Sequence, residues 1–560
     1  MMGDQMFRTI LRRLRPRGKD EAGIAMIMVM AAITVLSLLV TAALGYALQA
    51  QPQSRRDQDW NAALAAAQSG VDDYVARLNQ NDSYYTSVDC TNIAEQGPKA
   101  GTNTCGWTTS TAPGWQNVVP NQPTQGGFHY DIDASTIASQ GTIRVTSTGR
   151  MRNTSRTIQV LVSRGGSTQF LYYTDFEDAD PSNQTAYGTT PGGGKVVCGS
   201  TGPTTANYYW QGGRSLSSSP CVEITFVTGD SLDGAVHFND TPLVSGTPLF
   251  KKAFETADPG CKTAVAGNDY ATCWRSSSAT PNFNGSAPTY APVLNLPDNS
   301  SAFAGYPGCD YTGDTRIKFN SDGTMTVWDK GAVGTTVGAG CGTPATLASS
   351  GGQTVNVPTD QTIYVANGST QAKCTTGQVG DGIPLAGDVN TSLSTFYCGQ
   401  GNVYVEGTLK GRVTLAAQNN VIITGDLLLS STTAGAAPTG SDMLGLVASN
   451  SVVNYHPVDS SGNNMTSISD RWVYASIQTL QHSFWVESYD QGNKLGTLHV
   501  RGSIAQRWRG IVGTGGSTGT GYLKDYSYDS RLTFASPPYF PQWTNAVWGA
   551  KTTGELKPAY

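Results

Sequence analysis

The residues that invite a chemical reading first are His237 and its neighbours Asp233, Asn239 and Asp240. An imidazole among carboxylates within a few positions is the donor set of a metal site or an acid/base pair. The same residue types in a turn between strands serve as hydrogen-bonding loop formers, and this second reading is the expected one. A second group is Trp508 between Arg507 and Arg509, with Tyr522, Tyr526 and Tyr528 close behind. Aromatic faces with arginines suit a carbohydrate or surface ligand, or they stack over and shield the last strands of a β-rich unit. Glu406, Lys410, Arg412 and Asp426 supply charge in the last third without the clustering that polysaccharide cleavage needs. No H-E-x-x-H or phosphate-loop motif occurs, and no catalytic residues, no cofactor and no metal are expected.

The ten cysteines are Cys90, Cys105, Cys198, Cys221, Cys261, Cys273, Cys309, Cys341, Cys374 and Cys398. None forms a C-x-x-C pair, which leaves zinc and thioredoxin-like chemistry without support. In an exported chain an even number reads as disulfides, and successive pairing closing short loops is one arrangement among many.

Export is what the N-terminus implies. Ile24 to Leu48 are twenty-five residues without a charge, roughly 37 Å of helix at about 1.5 Å per residue, against a hydrocarbon core of about 30 Å. Arg8, Arg12, Arg13, Arg15, Arg17 and Lys19 outweigh Asp4, Asp20 and Glu21 upstream, a bias that keeps that end cytoplasmic and the remainder outside. The run exceeds the apolar stretch of a secretory signal peptide. The helical pattern also continues past the membrane. Trp60, Leu64, Ala67, Val71, Tyr74 or Val75, and Leu78 step by three and four, one stripe of an amphipathic helix, with Pro52 at the join.

A basic leader, Gly23, an uncharged segment and an extension containing Ala65-Ala66-Ala67-Gln68-Ser69-Gly70-Val71 resemble the N-terminus of type IV pilins, most of all PilX-type minor pilins, over about the first eighty residues. The resemblance implies cleavage by a prepilin peptidase between Gly23 and Ile24. It also implies partners among other pilins and the pilus assembly platform. Major pilins carry glutamate at the fifth mature position, where this chain has Met28. A buried terminal ammonium without that carboxylate is costly, which points to a tip or priming subunit rather than the repeating filament body. Phe170-Leu-Tyr-Tyr-Thr-Asp-Phe-Glu-Asp-Ala-Asp-Pro, Val236-His-Phe-Asn-Asp and Gly496 to Phe540 are similar to the ectodomains of large PilX-like proteins of actinobacteria and related bacteria.

The expected fold is α+β, mostly β. A leader (1–23) precedes the transmembrane and amphipathic helix (24–80) and a small antiparallel sheet (81–165). A loop-rich, disulfide-bearing β region (166–400) follows, then a β-solenoid-like domain with an aromatic cap (401–560). Alternation in Phe128 to Ile132, Thr142 to Gly149 and Arg156 to Val162 gives the sheet, with a hairpin at Arg150 to Ser155. Val403-Tyr-Val-Glu-Gly407-Thr-Leu, Val421-Ile-Ile-Thr-Gly425-Asp-Leu and Leu498-His-Val-Arg-Gly502-Ser-Ile share one form, with Ile363-Tyr-Val365-Ala-Asn367 a partial copy. Glycine permits φ > 0 where a rung turns a corner; a twisted β-sandwich is the alternative. A formal net charge of −5 with 14% charged residues argues against nucleic acid as a general partner. The expected location is the cytoplasmic membrane, anchored by residues 24–48 with the C-terminus outside, and then the cell surface or pilus. A membrane-anchored surface protein that binds or acts on polysaccharide is the alternative function.

Overall fold

The computed structural model describes residues 21–560 apart from 102, 181–206, 212–223, 264–272, 277–279, 333–335, 370–371, 390–396, 468 and 515–518. Residues 1–20 of the expected leader, and Cys198 and Cys221, lie outside the described residues.

One helix runs from Glu21 to Gln80 with Pro52 inside it. Its two halves meet different surroundings. The side chains from Ile24 to Val40 are all exposed, whereas Ala63, Ala66, Ala67, Val71, Tyr74 and Leu78 are buried. Trp60, counted on the buried stripe from its spacing, is 50% exposed instead. The Arg156 guanidinium lies 4.5 Å from its ring centre.

The buried half packs on a five-stranded antiparallel sheet in the order Gln116–Asn117, Gly127–Asp133, Thr142–Met151, Thr154–Arg164 and Trp548–Leu556. Phe128, Tyr130, Ile143, Val145, Ile158, Val160 and Val162 meet the helix in one core, so the alternation expected for these strands gives one buried face. Contact is close enough that a side chain on Gly149 would overlap the helix backbone, 2.1 Å from Ala63 O and 2.2 Å from Ala67 N. The fifth strand comes from the far end of the chain. The sheet therefore exceeds the range 81–165 expected for it, and the body between Arg164 and Trp548 is an insertion held at both ends by neighbouring strands.

The body is β-rich and curled around two long ladders. In the first, Gly308–Thr312, Gln361–Ala366, Arg412–Ala417, Met443–Ala448 and Ser476–Thr479 pair in parallel in that order. The ladder continues through the end of Lys494–Trp508 to Tyr172–Phe176, Val236–Phe238 and Phe254–Thr256. The second joins Thr315–Phe319, Val403–Leu409 and Val421–Leu429, then Arg471–Val473, Lys494–Trp508, Gly521–Tyr528 and Ser231–Asp233. At its edge, Thr324–Asp329 and Gln353–Asn356 add antiparallel. From Val403 to Asn454 the chain alternates between the ladders strand by strand. Strands on both sides of residue 400 belong to the same ladders.

The repeated segments stack as neighbours: Val403 lies opposite Val421, and Val405 opposite Ile423. The copy at Leu498 follows one strand further, past Val473. The partial copy at Ile363 sits in the other ladder, opposite Cys309 and Leu415. Inward Val403, Val405, Val421, Ile423, Leu427, Leu446, Ile477, Leu498 and Val500 form columns in the main core. Gly407 alone of the three repeat glycines has φ > 0, at 108°. Gly502 serves close approach instead, since a side chain there would sit 1.9 Å from Ala475 O.

Disulfides join Cys90 to Cys105, Cys261 to Cys273, Cys309 to Cys341 and Cys374 to Cys398. Each closes a short loop, the longest spanning 32 residues.

Candidate functional site

Three strand ends of the first ladder meet side by side. Gln506 aligns with Thr174, and Thr174 with Phe238, so the residues just beyond carry Arg507, Arg509, Asp175, Glu177, Asn239 and Asp240 into one layer. Alternation places Tyr173, Asp175 and His237 on the outer side, with Asn239 just past Phe238 beside them. Glu177 and Arg509, one residue past the strand ends at Phe176 and Trp508, turn inward instead, so the layer holds an outer and an inner network.

On the outer side His237 is buried, with Tyr173 stacked on it at 5.8 Å and Phe170 tilted against it at 5.2 Å. Asn239 Nδ2 donates to Tyr173 Oη at 2.8 Å, Asp175 Oδ1 at 2.9 Å and the Leu294 carbonyl at 2.7 Å. That fixes its Oδ1 as acceptor, and His237 Nε2 donates to it at 3.1 Å. His237 Nδ1 faces Glu255 Oε2 at 3.3 Å. Asp175 also accepts from Tyr208 Oη at 2.7 Å. Burial raises its carboxyl above the ordinary range, with the hydrogen bonds from Asn239 and Tyr208 opposing. Asp240 accepts from the backbone N–H groups of Glu177, Tyr209 and Thr241. Asp233 is remote from this group and pairs with Lys251 at 3.2 Å. The network ties the strand ends to the chain crossing at Leu294, and His237 takes part from within the strand Val236–Phe238 rather than from a turn.

On the inner side Arg509 is fully buried and donates from Nη1 to Glu177 Oε2 at 2.7 Å and to the Ile224 carbonyl at 2.9 Å. Its guanidinium lies 3.5 Å from the Phe226 ring centre. Thr174 Oγ1 hydrogen-bonds Glu177 Oε1. Burial pushes the Glu177 carboxyl up, and Arg509 opposes it. Beside this pair Lys524 Nζ stands 2.9 Å from Asp230 Oδ2. Two cations and two anions thus share a buried, neutral cluster.

The aromatic residues singled out from the sequence do not assemble into one exposed face. Trp508 is nearly buried and stacks on Phe176 at 4.5 Å. Tyr522 is nearly buried, Tyr526 lies in the core at 1% exposure, and Tyr528 donates to the Thr168 carbonyl at 2.7 Å. Strand alternation turns Tyr526 inward although its neighbours are polar. Glu406 pairs with Arg316 at 3.0 Å, Arg412 with Asp360 at 3.1 Å and Asp426 with Arg471 at 3.8 Å. Asp314 lies against the sulfurs of Cys374 and Cys398, but these are joined to each other, so they offer a metal no thiolate.

Asp230 and Lys524 were not singled out from the sequence, Glu177 entered only within the run that begins at Phe170, and Arg509 entered as part of an aromatic and arginine face rather than a buried pair. The signal for one of them is the Asp175-Phe-Glu-Asp-Ala-Asp run directly after an apolar strand. Acidic density there reads as a solvated loop until the neighbouring strands are known.

No family model and no curated protein matches the chain. Among solved structures, the competence-associated pilin ComZ from Thermus thermophilus is similar at 11% identity and a TM-score of 0.29, covering 89% of this chain and 98% of that one. Among the described residues one helix is long and apolar enough to cross a membrane by length and composition.

Proposed function

We propose that the chain is a type IV pilin-like subunit of the PilX kind, anchored by residues 24–48 with its body outside. In this reading a prepilin peptidase removes residues 1–23, and Ile24 becomes the N-terminus. The subunit occupies a tip or priming position and presents the large body as a structural or adhesive head. The two ladders are the faces of a short β-solenoid inserted in a pilin-type helix-on-sheet module. The reading assigns the head no catalysis.

The observation that carries it is the division of one helix. Its second half is buried against the small sheet, while the apolar first half from Ile24 to Val40 is exposed and packs on none of the described residues. Such a surface requires a bilayer or the helices of other subunits. Met28 in place of the fifth-position glutamate supports the terminal position.

The test is the N-terminal sequence of the protein from membrane and sheared-filament fractions, with and without the peptidase. Ile24 as first residue, dependent on the peptidase, is the expected outcome. An intact N-terminus in both strains overturns the pilin reading and leaves an anchored surface protein to be assayed for glycan binding and cleavage.

A further inference from the structure

The cluster around Lys524 and Asp230 supports a covalent role. Lys524 lies on the strand Gly521–Tyr528, and Asp230 immediately precedes Ser231–Asp233; the two strands pair in parallel with Asp525 opposite Ser231. The register therefore sets Lys524 directly across from Asp230. The amine is 2.9 Å from one carboxylate oxygen, inside the protein, with the Phe226 ring centre 5.8 Å from Nζ. That same oxygen accepts the Val227 N–H at 3.0 Å. An amine and a carboxylate held this way, with side chains 11% and 2% exposed, are the reactants of an amide.

We propose that Lys524 and Asp230 condense into an intramolecular isopeptide bond that staples the early segment of the body to its last ladder strand. The Nζ lone pair attacks Asp230 Cγ, the Nζ–Cγ bond forms and one Cγ–O bond breaks. The departing oxygen leaves as water with the two protons that the ammonium gives up. Nothing is oxidised or reduced, and no co-reactant is consumed. The Val227 N–H stabilises the oxygen that remains, where negative charge develops in the tetrahedral adduct. Burial, with Arg509 acting in the same direction, lowers the affinity of Lys524 for its proton and favours the neutral nucleophile, although the Asp230 charge opposes this. Arg509 and Glu177 remain as a neutral pair after the reaction. The bond joins residues 294 apart, whereas the described disulfides join residues 32 apart or fewer. It therefore closes a path for force and unfolding that the cystines leave open.

The experiment is tryptic mass spectrometry of the reduced, full-length protein. The bond leaves the chain uncut after Lys524, so 510–531 is expected to appear joined to 215–251, one water lighter than the sum of the two peptides. Lys524→Gln and Asp230→Ala should each restore linear peptides. Should either variant fail to fold, the wild-type digest still decides. Recovery from the wild type of linear 525–531 and unbranched 215–251, with no branched species, overturns the proposal.

Discussion

The helix-on-sheet module and the ladder body handle charge in opposite ways. In the module, ion pairs sit at the rim: Arg152 with Asp59 and Arg144 with Asp133 each have a well-exposed partner, and Arg77 with Asp73 is half-buried. In the body, Arg509 and Glu177 are both fully buried, Lys524 and Asp230 nearly so, and Arg316 is almost enclosed beside Glu406. The cause is topological. A single sheet with one face covered leaves polar side chains room to reach water. Two ladders closed on each other trap whatever the strand ends carry, so those charges must be matched inside.

The strongest test of this contrast is Arg509→Ala. It leaves the Glu177 carboxylate buried without its guanidinium, and loss of one partner of a buried pair costs about 3–5 kcal/mol. Chemical denaturation of the ectodomain should show that loss, while Arg509→Met together with Glu177→Leu should recover much of it. A cost below about 1 kcal/mol would mean the inner cluster is hydrated and the contrast fails.

Legibility in the sequence follows the same divide. The helix stripe and the strands at Thr142 and Arg156 are local patterns with local partners, and their alternation suffices to find them. Trp548–Leu556 is not legible that way. It contains two glycines and two threonines in place of alternation, and its place is fixed by pairing with Thr154–Arg164 across most of the chain. In the body, the repeated pattern at Val403 and Val421 announces stacking because each copy is long enough to show two inward residues. Ser231–Asp233 has three residues and no readable period. Buried charge is the hardest feature to foresee: Glu177 and Lys524 stand in polar stretches whose burial is decided by distant strands.

Close packing offers the next test, now on the module. Gly149→Val places side-chain atoms inside the backbone of the helix at Ala63 and Ala67, which are peptide atoms that cannot rotate away. Overpacking costs about 1–3 kcal/mol where side chains yield, so about 3 kcal/mol is expected here. Tryptophan fluorescence should report early release of Trp548, which sits in the module core. The body's disulfide-bearing part should unfold at its usual denaturant concentration. A single transition shifted as a whole would show that module and body unfold as one unit.

Buried carboxylates of the body predict a pH response opposite in sign to that of a rim carboxylate such as Asp133, whose carboxyl is held below the ordinary range by hydrogen bonds from Ser135. Burial raises the Asp314 carboxyl from 3.8 to about 6, with hydrogen bonds from Gly399 N–H and Gln378 opposing. The folded state thus holds a proton that the unfolded state releases between those values, and stability falls as pH rises through that window. Below it the residue costs nothing; above it the whole cost is present. Asp314→Asn should therefore lie close to wild type near about pH 4 and exceed it by about 3 kcal/mol near about pH 7.5. An advantage that is constant with pH would assign the effect to packing rather than to the proton.

Arg152→Ala supplies the small end of the scale and the sharpest complement to Arg509. Arg152 sits at the hairpin tip between Thr142–Met151 and Thr154–Arg164, with φ of 53°, and its guanidinium reaches Asp59 on the helix at 2.6 Å. Short as that contact is, the arginine side chain is 63% exposed. Water and salt screen such a pair, and fixing a long side chain offsets most of what remains, so a change within about 1 kcal/mol is expected. Raising the ionic strength should erase even that difference between variant and wild type. A larger, salt-resistant loss would mean that the tip clamps the helix onto the sheet, and the rim charges of the module would then belong with the buried charges of the body.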